Sequence, residues 1–112
     1  MMLTGKCKEN FEKWLFKGDN NYGNIIGAVL LEDFYSNGLS MQYGVYVDFF
    51  DSVGIEIEID IINTTHYGVT IMQQENGVYS DEYEYISEIK NRQEAWEEAI
   101  KRANILYNDK RN

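Results

Sequence analysis

The sequence predicts an α+β domain: a four-stranded antiparallel β-meander flanked by two N-terminal helices and one C-terminal helix. Apolar residues recur at helical spacing at both ends of the chain, alternate with a period of two in the middle, and the alternating runs are separated by short turns of Gly, Asn and Asp. At 112 residues, 44% of them hydrophobic and 14% aromatic, the chain has the size of one domain, 1–112, and enough apolar side chains for one core.

The first helix is predicted over 4–17. Thr4 is a good N-cap, and Cys7, Phe11, Trp14 and Leu15 share one face. Gly18 can close it, and turn formers fill 19–24. A second helix is predicted over 25–36, where Ile25, Ala28, Leu31 and Tyr35 continue a face, although the continuous apolar run at its start also suits a buried strand. The period then changes to two. Strands are predicted over 43–50, 55–62, 67–74 and 78–86. The Asp51-Ser52-Val53-Gly54 tetrapeptide has the form of a type I turn, and Asn76-Gly77 is a strong hairpin signal. Within 55–62, Ile55, Ile57, Ile59 and Ile61 are expected on the core side, and Glu56, Glu58 and Asp60 on the other. The last helix, 91–108, has Asn91 as N-cap with Glu94 as its capping-box partner, and an apolar stripe of Trp96, Ala99, Ile100, Ala103, Leu106 and Tyr107 to lie on the sheet.

Composition narrows the function classes. A formal charge of −9 argues against direct binding of nucleic acid through its phosphates and favours a basic protein partner. Cys7 is the only cysteine and His66 the only histidine, so a disulfide is impossible and a structural zinc site lacks ligands. No metal and no cofactor is expected. The opening turns polar within a few residues, and no apolar run approaches the ~20 residues that span a bilayer, so the expected location is cytoplasmic, with no membrane partner.

The opening LTGKCKENFEKW at 3–14, the segment MQYGVYVDFFDSVGI at 41–55 and the helix from Glu94 to Asn108 resemble small uncharacterised proteins encoded by bacteroidete phages and prophages. The resemblance brings no catalytic residue. It implies a setting among accessory genes, where some small acidic proteins block host defence enzymes by binding them, as anti-CRISPR and anti-restriction proteins do.

Glu56, Glu58 and Asp60 form an acidic row, expected to be joined by Asp48 from the preceding strand and by Glu82 and Glu84 from the last. Such a row can meet the Lys/Arg groove of a nucleic-acid enzyme as a phosphate mimic, or it can be a solvated sheet face, a common feature of antiparallel sheets. Tyrosines crowd the predicted strands, and Tyr46 and Tyr83 are candidate contact residues beside the acidic row, since Tyr offers contact area at little entropic cost. Asp81 with Glu88-Ile89-Lys90 has the lettering of a metal-dependent nuclease site, but on a strand exit rather than in the crossover such a site needs. His66, in a polar turn, has no sequence-local base or nucleophile, and Cys7 reads as a small core side chain. The sequence therefore points to a non-catalytic interaction protein that inhibits a nucleic-acid-processing enzyme. The alternative is an accessory or scaffold protein that self-associates, as a homodimer for instance, through a sheet edge.

Overall fold

The computed structural model describes residues 3–16 and 31–111, with the backbone alone at 16, 81–83 and 111. The α+β class holds, with helices before an antiparallel meander and a helix after it. The elements run α1 (Gly5–Phe16), α2 (Leu31–Ser36), α3 (Leu39–Ser52), β1 (Ile55–Asn63), β2 (His66–Glu75), β3 (Val78–Ile89) and α4 (Arg92–Arg111). Among the described residues the sheet has three strands in the order β1-β2-β3.

The expected strand at 43–50 is instead part of helix α3. Its aromatic and β-branched residues suit a strand locally, but the buried positions Gln42, Val45, Tyr46, Phe49 and Phe50 recur at helical spacing and close the aromatic core. Tertiary burial outweighs local propensity here. The turn after it does form, as a helix ending: Val53 N–H donates to the Phe50 carbonyl and Gly54 N–H to that of Asp51. Gly54 is required, because its φ is +83° and a Cβ there would lie 2.6 Å from the Gln74 carbonyl oxygen. Of the helix expected over 25–36, residues 31–36 are helical as α2 and the rest lies outside the described residues.

Phe11 of α1 is the hub of the core, with ring centroids 5.1 Å from Tyr46, 5.4 Å from Phe49 and 5.7 Å from Phe34. Cys7 and Leu15 of the predicted α1 face are fully buried with it. α4 lies on the sheet, with Ala95, Ala99, Ile100 and Ala103 buried in the same core as Val69 and Ile71 of β2, while Tyr107 meets Phe49 of α3 and Asn10 of α1. Asn91 caps α4, its Oδ1 accepting the Glu94 N–H at 2.9 Å.

The start of α1 is satisfied from across the fold. Asn104 Oδ1 accepts the Thr4 N–H at 3.0 Å and Asn104 Nδ2 donates to the Thr4 hydroxyl at 3.0 Å. Asn108 Oδ1 accepts the Cys7 N–H at 2.8 Å, and Asn108 Nδ2 donates to the Thr4 carbonyl at 3.0 Å. Two amides one turn apart on α4 thus occupy donors that a helix start leaves open.

The meander follows its turn chemistry. Asn76 and Gly77 both have positive φ, 53° and 80°, as a two-residue hairpin of this type requires. Asn63 Oδ1 accepts the Thr65 N–H at 2.8 Å and closes the other turn. The register pairs Ile57 with Ile71, Ile59 with Val69 and Glu58 with Thr70, so the isoleucine and carboxylate faces of β1 are those expected from the alternation. β3 extends to Ile89 through a bulge at which Glu88 takes a φ of 62°.

Candidate functional site

Helices α3 and α4 pack on the isoleucine side of the sheet; among the described residues no helix lies on the carboxylate side. That uncovered face gathers what the sequence placed in one row. Glu58 and Asp60 are exposed, and Glu56 is half-buried. Glu56 is held in place: the Tyr79 hydroxyl donates to its two carboxylate oxygens at 2.9 and 3.0 Å, and Gln74 Nε2 donates at 3.3 Å. The bond to Glu56 pushes the Tyr79 ionisation upward, first through the hydrogen bond, then through desolvation and the carboxylate charge.

Tyr85 pairs with Thr70, itself opposite Glu58, and so shares their face at 52% exposure. Its ring end lies over Gly68, where a Cβ would meet the Tyr85 hydroxyl at 2.9 Å and Ile62 Cδ1 at 3.3 Å. A glycine at 68 therefore lets Tyr85 and Ile62 lie close together beside the carboxylates. The result is an acidic face bearing Tyr79 and Tyr85.

Three expectations for this face change. Asp48 is on α3, exposed, and not on a neighbouring strand, because 43–50 is helical. Tyr46 is fully buried, its hydroxyl donating to Gln42 Oε1 at 2.6 Å and its ionisation pushed up to about 12, first by burial. It cannot contact a partner. Glu84 pairs with Ile71 in the register, which puts it on the helix side, with Arg102 Nη1 3.7 Å away. Tyr79 and Tyr85 were missed as contact candidates; their signal was strand parity once β3 is set against β2. The side chains of Glu82 and Tyr83 lie outside the described residues.

Asp51 ends α3 near the same face. Burial first, then Glu56 and Asp48, raise its carboxyl above the usual range. The remaining candidates are structural. Cys7 is buried in the core, and His66 Nδ1 lies 2.8 Å from the Thr65 hydroxyl and 3.2 Å from Asn63 Oδ1 within the hairpin turn. No group of three or more His, Cys, Asp or Glu side chains converges on a point among the described residues. No described helix is long and apolar enough to cross a membrane.

On the helix side a groove of about 350 Å³ runs along β1. Ile57, Ile59 and Ile61 form its floor, and Tyr43 and Val47 of α3 line it with Trp96 of α4. The Tyr43 and Trp96 rings stack at 5.6 Å, and the Arg92 guanidinium carbon sits 5.8 Å from the Tyr67 ring centroid at the groove.

Fold and site together define an α+β domain with one sheet face that is charged and that no described helix covers. Compared with protein-family models, curated proteins and solved structures, the chain matches none.

Proposed function

We propose that the protein is a non-catalytic interaction module that binds a basic protein surface through the open sheet face, with Glu58, Asp60 and Glu56 as its charged centre and Tyr79 and Tyr85 as its contact rings. The observation that supports this most is the placement of the exposed carboxylates and tyrosines on a sheet face that no described helix covers. Carboxylates spaced along a strand attract Lys and Arg from a distance and pair with them on contact, while tyrosine supplies apolar area with a hydroxyl at its tip. The formal charge of −9 adds long-range steering toward a cationic surface. A phosphate-binding groove of a nucleic-acid-processing enzyme is such a surface, and the likeness of 3–14 and 41–55 to phage-encoded proteins favours a host defence enzyme as its owner.

The test is capture from a bacterial host lysate with the parent chain and with a Glu58→Lys/Asp60→Lys variant as baits. Both side chains are exposed, so the variant is expected to fold. A basic protein retained by the parent at low salt, and lost both at high salt and with the variant, is the expected result. The same protein retained equally by both baits would remove the acidic row from recognition.

A further inference from the structure

We propose that the groove on the helix side of the sheet binds a small aromatic carboxylate, at a site separate from the acidic face and independent of the function proposed for it. The groove reverses the chemistry of the chain around it. Acidic residues outnumber basic ones 19 to 10, yet among the described residues the groove is lined by no Asp or Glu and by one cation, Arg92. Glu56, Glu58 and Asp60 alternate with the isoleucines of its floor and so lie on the opposite face of the sheet. Ile57, Ile59 and the 65%-exposed Ile61 make that floor apolar, and the stacked Tyr43 and Trp96 rings supply an aromatic wall. The volume of about 350 Å³ falls within the ~300–1,000 Å³ of small-molecule sites.

The polar groups of the lining are donors that the protein leaves unused. Lys6, Arg102 and Lys110 each reach a carboxylate, whereas Arg92 makes no ion pair or hydrogen bond among the described residues and lies near the Tyr67 ring instead. The Trp96 indole N–H and the Tyr43 and Tyr67 hydroxyls also lack a hydrogen-bond partner among the described residues, although all three side chains are half-buried. A guanidinium, an indole N–H and two hydroxyls, with no carboxylate beside them in the lining, select a ligand that accepts hydrogen bonds. The isoleucine floor and the stacked rings select an aromatic body. An aromatic acid meets both demands, since a carboxylate matches the two-pronged geometry of a guanidinium.

The probe is 2-naphthylacetate, titrated by calorimetry and followed through amide and indole N–H chemical shifts. Two compounds control for its parts: 2-naphthylacetamide has the ring without the charge, and acetate the charge without the ring. The acid is expected to bind at least about tenfold more tightly than either, and to shift the amides of Ile57, Ile59 and Ile61 together with the Trp96 indole N–H. Arg92→Gln, at an exposed position, is expected to keep the fold, to remove the advantage of the acid and to leave the affinity of the amide as it was. Equal binding of acid and amide by the parent, or an acid affinity that Arg92→Gln leaves unchanged, would overturn the proposal. So would shifts centred on Glu58, Thr70 and Tyr85, which would put the probe on the other face, and so would failure of all three compounds to bind. The lysate capture reads the acidic face alone and stands apart from each of these outcomes.

Discussion

Asn104 is 6% exposed and spends its amide on the Thr4 backbone and hydroxyl a hundred residues away. Replacing it with leucine keeps the volume but takes the acceptor from the Thr4 N–H and one donor from the Thr4 hydroxyl, both on an exposed residue, so Asn104→Leu is expected to cost ~1 kcal/mol. Thermal or urea melts measure it; a loss below about 0.5 kcal/mol would mean the Thr4 contacts are optional. Asp51 is the opposite case, a side chain that works against the fold. Its folded pKa is raised by burial and by Glu56 and Asp48, so the folded chain holds that proton more tightly than the unfolded chain does. The stability this proton confers is full below the unfolded value and is lost as pH rises through the raised folded value. Asp51→Asn is therefore expected to raise the melting temperature at neutral pH, with the gain vanishing toward about pH 3, where the parent carboxyl is protonated in both states. A variant melting no higher than the parent at neutral pH would contradict this.

Among the elements, β1 divides into a covered end and an open one. Its partner β2 supplies the fully buried Ile71, whereas Ile61 is 65% exposed. Ile71→Thr is expected to destabilise by ~2 kcal/mol or more by burying a hydroxyl and leaving a void. Ile61→Thr should stay within about 0.5 kcal/mol of the parent in the same melts. Equal losses would mean that Ile61 is covered. The β1 alternation, the Asn76-Gly77 hairpin and the Asn91 cap were legible in the sequence because each is a local rule that the structure obeys. The segment 43–50 was not: Val45 and Val47 alternate with aromatics as a strand would, while Val45, Tyr46, Phe49 and Phe50 also stand at helical spacing, and only the burial of that second set decides between the two. Nor did any local signal reveal that Asn104 and Asn108 would satisfy the start of α1, since that contact joins opposite ends of the chain.

For the whole molecule, misplacing that one segment redistributed the site. Taking α3 out of the sheet carried Asp48 to a helix and Tyr46 to the core, and left Glu56, Glu58 and Asp60 where parity had put them. Parity within a strand is fixed by backbone geometry and survives such an error, whereas strand neighbours depend on the full topology. The described helices sequester the aromatic core on one side of the sheet and leave the carboxylates and tyrosines on the other, which assigns recognition to that face. Hydrogen exchange of the chain, alone and bound to the partner recovered from lysate, tests it most directly. Slowed exchange at β1 amides, with α1 and α4 unchanged, is the expected result. Protection confined to α1 and α4, with β1 exchanging as in the free chain, would contradict it.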